Sequence, residues 1–331
     1  MINKLLTPPH ELSRMAKHTP ILLALSGGAD SRALLHLLSL YCRESGAPLY
    51  AAHVDHMIRG DDAARDREFC QELCKSYGVE CFVLQCDVPA RARETGLGLE
   101  ETARQVRYEF FESLMREKNI PILATAHNAD DALETLIFNI SRGCGLRGIC
   151  SIPETRPFAE GILIRPLLRT SKADIVSFCE QNKLIFVTDG TNADDTYSRN
   201  YIRLHIIPEL KQLNAGVLKN VARLYGAARQ DLDYIESEVE KYFSREGENA
   251  NSLASLRTLH PALLCRVLGE LYSRASGGGK VAEQVHINAL LELVERGVGN
   301  SSVSLPCLIR AQIKNKRLIF VPDPRKNFRH L

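Results

Sequence analysis

The chain of 331 residues contains no apolar run near the 18 or so that a membrane span needs. Its first twenty residues lack the basic, apolar, small-residue order of an export signal, being broken by Pro8, Pro9, His10 and Glu11. It has no excess of either charge: 42 Lys plus Arg against 40 Asp plus Glu leave a formal +2, so any patch for a polyanion has to be local. None of the ten cysteines forms a C-x-x-C pair, which argues against a zinc or iron–sulfur site and against a small disulfide scaffold. Most of them (Cys70, Cys74, Cys81, Cys179) lie in apolar stretches, where a reduced thiol packs as a small hydrophobe. There is no internal repeat and no low-complexity segment. There is no Walker A loop either, since Gly279-Lys280 is followed by Val281. These absences lead to the expectation of a reduced, cytoplasmic, globular protein with no membrane partner.

What is present begins with alternation. Ile21–Leu25, Tyr50–Val54, Glu80–Cys86 and Ile120–Ala126 read as short strands. Helical patterns over 31–41, 61–77 and 100–118, and one starting near Asp130, lie between and after them. Strands and helices at this spacing predict βαβ crossovers: an α/β, doubly wound, mainly parallel sheet. Ligands of such a sheet bind beyond the carboxyl ends of its strands, which would line up Ser26–Ser31, His53–His56 and His127–Asp131 along one rim. Residues 141–160 read as loop, followed by a strand over Ile162–Ile164, a helix from Ser171 and a helix around 200–210 ending at Pro208. A long polar-faced helix over 216–245 leads to a smaller, mostly helical region with a terminal hairpin, strands 302–312 and 318–321 around a turn at Lys314-Asn315-Lys316.

Three segments carry chemistry. In Ser26-Gly27-Gly28-Ala29-Asp30-Ser31, between a strand and a helix, the glycines let the backbone turn tightly and bring N–H groups to a phosphate oxygen. Ser26 and Ser31 add hydroxyls, and the helix start adds its positive end. Asp30 would repel that phosphate unless a cation lies between them, which points to Mg2+ or to a cationic substrate. In His127-Asn128-Ala129-Asp130-Asp131-Ala132-Leu133-Glu134, helical spacing sets His127, Asp131 and Glu134 on one face, with the paired carboxylates suited to an ammonium group. The alternative for Asp131 is a charged first turn of a solvated helix, and for His127 a phosphate-orienting or a satisfied core residue. Arg142-Gly143-Cys144-Gly145-Leu146-Arg147-Gly148 joins a pliable backbone to fork-shaped donors that suit phosphate, or forms a surface turn.

The Ser-Gly-Gly-x-Asp-Ser loop resembles the pyrophosphate (PP) loop of the N-type ATP pyrophosphatases, which cleave ATP between its α and β phosphates. Further motifs narrow the resemblance to the tRNA(Ile)-lysidine synthetase family: His53-Val54-Asp55-His56, Glu101-Thr102-Ala103-Arg104-x-x-Arg107-Tyr108, His127 to Thr135 and Arg142-Gly143-x-Gly145-Leu146. Arg165-Pro166-Leu167-Leu168, Asp189-Gly190-Thr191-Asn192 and Arg199-Asn200-x-x-Arg203 with Ile207-Pro208 extend it, so that it covers about 20–212.

The resemblance implies an ATP-dependent ligase that joins L-lysine to C2 of the wobble cytidine of tRNA(Ile) with a CAU anticodon. An adenylated cytidine is formed, AMP and pyrophosphate leave, and codon reading switches from AUG to AUA. It further implies ATP binding by Ser26, Gly27, Gly28, Ala29, Asp30 and Ser31, with Mg2+ at Asp30. Asp30, Arg107, Asp131 and Glu134 would be catalytic, and His53, His127 and Arg104 would line the nucleotide or lysine pocket. Arg142, Arg147, Arg199 and Arg203 would contact tRNA. Asp55 is given no catalytic role. The corresponding domains are a PP-loop catalytic domain over 1–215, a connecting helix over 216–245 and a tRNA-recognition domain over 246–331. Oligomeric state is left open, a homodimer being one option. The alternatives to a lysine ligase are a thiolating PP-loop tRNA enzyme and a non-catalytic RNA- or nucleotide-binding relative.

Overall fold

A computed structural model describes residues 18–58, 60–150, 152–187, 198–277 and 282–323. The Asp189–Asn192 motif lies outside the described residues. By its internal contacts the chain divides into two units, Met1–Ala228 and Arg229–Leu331, with the division inside the helix Val217–Glu246.

The first unit holds a six-stranded sheet built from β1 (Ile21–Ala24), β2 (Leu49–Asp55), β3 (Glu80–Gln85), β4 (Ile122–Ala124), β5 (Thr155–Phe158) and β6 (Gly161–Ile164). Their order is β3-β2-β1-β4-β6-β5, all parallel except β5, which pairs antiparallel with β6 at the edge. The predicted doubly wound α/β sheet is therefore present. The chain steps outward from β1 to β3 and then returns to the other side of β1 at β4. That reversal opens a crevice beyond the ends of β1 and β4, the usual ligand site of such sheets.

Alternation along the buried strands splits the core into two layers. Ile21, Leu23 and Leu25 face one side with Leu34, Leu35, Leu38, Cys70, Cys74 and Cys179. Leu22, Ala52, Leu123 and Leu163 face the other side, against Phe111, Leu114 and Met115 of the helix Leu99–Glu117. None of the ten cysteines is in a disulfide, and Cys42, Cys70, Cys74, Cys150 and Cys179 are buried, as small hydrophobes should be. Among the described residues no helix is long and apolar enough to cross a membrane.

Three local expectations in the first unit are corrected. The region 141–160 is not all loop: it carries a short helix, Leu146–Ile149, and the edge strand β5. The helix Val88–Thr95, capped by Asp87, has no counterpart in the predicted elements. The helix around 200–210 does not stop at Pro208. Ser198–Tyr201 continues as a π-helical segment, Ile202–Ile206, and then as Ile207–Leu213, with the proline at the start of that last piece. Proline there has no N–H to donate and crowds the carbonyl four residues back; the widened turn just before it lets the helix pass.

In the second unit the single terminal hairpin is a three-stranded antiparallel sheet: β7 (Ser302–Leu305), β8 (Ile309–Lys314) and β9 (Arg317–Pro322). Pro306 ends β7, and Cys307 and Leu308 turn in the left-handed region at φ 57° and 56°. This sheet closes a core of Leu256, Val267, Leu268, Leu290, Val294 and Leu318 with the helices Pro261–Ala275 and Gln284–Arg296.

Candidate active site

The loop after β1 folds around one hydroxyl. Ser31 Oγ accepts from the backbone N–H of Ser26 (3.2 Å) and Gly27 (3.1 Å), donates to the Gly28 carbonyl (3.1 Å) and lies 3.1 Å from Ser26 Oγ. Gly27 has φ 88°, which disfavours any side chain. A Cβ there would stand 3.1 Å from Cys70 Sγ. The following helix, Ala29–Ser45, takes Gly28 as N-cap with no side-chain cap. Its first N–H groups and its positive end are therefore left for an anion. The Val187 N–H donates to the Gly27 carbonyl (3.0 Å), tying a distant segment to the loop.

The loop after β4 enters the helix Ala129–Ser141 through a capping box. Asn128 Oδ1 accepts from the N–H of Asp130 (2.9 Å) and Asp131 (3.1 Å), and the Asn128 N–H donates to Asp131 Oδ2 (2.9 Å). Asp131 thus serves its helix with one oxygen and turns the other toward the crevice, where Arg203 Nη2 lies at 3.6 Å. Burial, together with the like charges of Asp30 and Glu134, pushes its carboxyl up to about 6, against the helping Asn128 N–H and Arg203.

His127 contacts Thr125 Oγ1 through Nδ1 at 3.0 Å. Burial and the surrounding charges of Arg165, Arg104, Arg107 and Arg199 push it down to about 3, so its ring is neutral. His53, at the end of β2, is buried; its Nδ1 donates to the Leu25 carbonyl (2.9 Å), leaving Nε2 buried with no partner. Burial lowers its pKa as well. Asp55 accepts from the Met57 N–H, Arg67 and Gln85, which ties the end of β2 to its neighbours.

The carboxylates of this crevice are matched by cations from afar. Lys172 Nζ meets Asp30 Oδ2 at 2.6 Å, while Asp30 Oδ1 is buried without a partner. Asp130 accepts the Lys172 N–H (2.8 Å) and the Lys211 ammonium. Glu134, only 3% exposed, accepts from Arg203 (2.6 Å) and Arg199 (3.1 Å). Arg199 and Arg203, expected at the tRNA backbone, thus stand inside the site. Arg142, by contrast, stacks over the Phe138 ring at 5.3 Å, and Arg199 lies 4.9 Å from the same ring. Arg147 lies in the short helix Leu146–Ile149.

Lys172 and Lys211 escaped the sequence reading. One local signal existed for Lys172: it opens the helix Lys172–Gln181, where the helix dipole disfavours a cation.

A family model for the PP-loop domain matches residues 2–210. A tRNA(Ile)-lysidine synthase of Clostridium perfringens is 36% identical over 294 residues, covering 87% of this chain and 62% of its own length. Those of Clostridioides difficile and Geobacillus kaustophilus are 33% and 34% identical, each covering 98% of this chain and 71% of its own length. The chain therefore spans between about three-fifths and seven-tenths of these relatives. Among solved structures, the U34-tRNA thiolase NcsA of Methanococcus maripaludis, held with its 4Fe-4S cluster, superposes with a TM-score of 0.55 at 19% identity, over 68% of this chain and 75% of that one. That likeness is one of fold. With a PP-loop at the sheet's reversal point and relatives of this identity along nearly its whole length, the chain belongs to the tRNA(Ile)-lysidine synthase family.

Proposed function

We propose that the chain is an ATP-dependent ligase that joins L-lysine to C2 of the wobble cytidine of a CAU-anticodon tRNA(Ile). The carrying observation is the meeting, in one crevice, of an uncapped helix N-terminus behind a Ser-Gly-Gly turn with two carboxylates, Asp30 and Asp131, each with an oxygen not fully engaged. The first element suits a triphosphate, the second a cation or an ammonium group.

In this reading the loop of Ser26–Ser31 aligns ATP so that the cytidine O2 attacks the α-phosphorus and pyrophosphate leaves. The buried, partnerless Asp30 Oδ1 is a hard oxygen of the kind Mg2+ takes. Among the described residues no group of three His, Cys, Asp or Glu could hold a metal alone, so the phosphates would supply the other ligands. Mg2+ so held would offset charge on the departing pyrophosphate. Asp131 accepts the ε-ammonium of lysine. With its carboxyl near 6 it is ionised at neutral pH, yet is a better proton acceptor than an ordinary aspartate as the amine attacks C2 and AMP leaves. Neutral His127 offers a ring contact without adding charge, and Arg107 is the candidate for the activated intermediate. Glu134, already held by two guanidiniums, positions Arg199 and Arg203 rather than binding substrate. Residues 246–331 would contribute tRNA recognition, in the cytoplasm where tRNA and ATP meet.

The test is incubation of the purified protein with ATP, labelled lysine and CAU-anticodon transcripts of isoleucine and methionine tRNA. AMP and pyrophosphate should form with label entering only the isoleucine transcript. Formation of ADP and orthophosphate would refute the reading, and transfer of sulfur without lysine would replace it with thiolation.

A further inference from the structure

A second cationic group lies at the β6 side of the sheet, and among the described residues no carboxylate is paired with it. Arg104 lies 5.0 Å and Arg156 5.5 Å from the centroid of the Tyr108 ring; Arg156 also lies 5.2 Å from that of Phe158, which meets Tyr108 edge-on at 5.5 Å. Arg165, the first residue after β6, is 6% exposed. Its Nη1 donates to the Pro153 carbonyl (2.6 Å), and its Nε is buried with no acceptor. Among the described residues, none of the three guanidiniums is in an ion pair. Burial and the charges of Arg156 and Arg104 push Arg165 down to about 10. Arg165 is buried while Arg156 is half-buried and Arg104 exposed, and a buried cation without a counter-charge is costly. An anion arriving from outside would offset that cost.

We propose that Arg104, Arg156 and Arg165, gathered around Tyr108, bind a phosphodiester of the RNA substrate close to the nucleotide that reacts. The assignment rests on the reading of the substrate as RNA. The sheet order puts β6 two strands from β1, roughly 10 Å across, and Arg165 and Arg104 act on His127 at the end of β4, on the β4–β6 side of the crevice. A free amino acid is a poor occupant. Its carboxylate carries an ammonium one carbon away, which three unbalanced guanidiniums would repel, whereas a phosphodiester brings negative charge alone. One carboxylate is also matched by a single bidentate guanidinium. Two guanidiniums over one aromatic ring, with a third fixed at the end of the neighbouring strand, suit a polyanionic strand.

The experiment measures the affinity of the full chain for a CAU anticodon stem-loop RNA across a salt series, in the unsubstituted protein and in Arg104→Gln, Arg156→Gln and Arg165→Lys. Each Gln variant should bind roughly tenfold more weakly at low salt. Each should also lose about 0.7 from the slope of log affinity against log salt. Arg165→Lys keeps the charge and tests the fork geometry without emptying a buried position; it should weaken binding while preserving most of the slope. ATP affinity should change less than twofold in the Arg156 and Arg165 variants, and the thermal unfolding midpoint of the Arg104 variant should stay at that of the unsubstituted protein, which checks that the fold is intact. Unchanged RNA affinity and slope in the Arg104 and Arg156 variants overturns the site while leaving the RNA substrate in place. A raised KM for lysine with unchanged RNA affinity overturns it in favour of a carboxylate. Failure of the unsubstituted protein to bind the RNA removes the RNA reading itself.

Discussion

Asp131→Asn should make the free protein more stable and destroy lysine transfer. The carboxyl is raised from 3.8 to about 6 by burial first, then by Asp30 and Glu134. A raised acid takes up a proton on folding. Its charged form is then a burden on the folded state: absent below about pH 4, growing through pH 6 and complete above it. Two pH units correspond to about 3 kcal/mol. The side chain is 28% exposed, so solvent and the loss of the Arg203 contact reduce the net to roughly 1–2 kcal/mol. For a unit of this size that is a rise in Tm of about 3–6 °C. Asparagine can still accept the Asn128 N–H through its own oxygen, so the capping box survives.

The assay is thermal unfolding of both proteins without ATP at pH 7.5 and at pH 4.5. The gain should be present at the higher pH and mostly vanish at the lower, where the unsubstituted Asp131 is already protonated. RNA-dependent pyrophosphate release should persist in the variant while labelled lysine no longer enters RNA. An equal gain at both pH values, or a loss at pH 7.5, would refute the claim that this carboxylate is held against its preference.

Glu134→Gln should act in the opposite sense, because it strands Arg199 and Arg203 without their partner. The arginines are 38% and 44% exposed, so the expected loss is roughly 2–3 kcal/mol rather than that of a fully buried pair, read as a lower denaturant midpoint. Gly27→Ala forces a side chain into φ 88° and against Cys70 Sγ, and should cost at least about 1–2 kcal/mol. It should weaken ATP binding in a titration; unchanged affinity would mean that the loop geometry is not what holds the nucleotide. Exposed Cys307 should react with a maleimide in the native protein. Cys42 and Cys70, whose thiols burial pushes up to about 12, should react only on unfolding, as peptide mapping after a timed pulse would report.

What was legible in the sequence was local. β1 and the loop behind it follow from five apolar residues ending in Ser26-Gly27-Gly28, and the Asn128 capping box follows from Asn128 and Asp131 at helical spacing. Where a feature needed a distant partner, periodicity gave no signal. β5 is half exposed at a sheet edge and too short to alternate, so only its pairing with β6 makes it a strand. The break at Pro306 that turns a hairpin into three strands depends on Cys307 and Leu308 accepting left-handed backbone, which neither residue type advertises.

The same division runs through the site and explains its electrostatics. Its acids are close in sequence or sit in recognisable turns, and all were visible. Its cations arrive from 42 to 142 residues away: Lys172 to Asp30 and Asp130, Lys211 to Asp130, Arg199 and Arg203 to Glu134. Carboxylates read without those partners look like a strongly acidic pocket waiting for cations. With them, Asp130 and Glu134 are spent on holding helices and guanidiniums in place. Among the described residues, the partnerless oxygen of Asp30 and the loosely paired one of Asp131 remain for ligands. On the proposed reading, selectivity for an ammonium group would come from how few acceptors are left open, because among the described residues Asp130 and Glu134 are already answered by the chain itself.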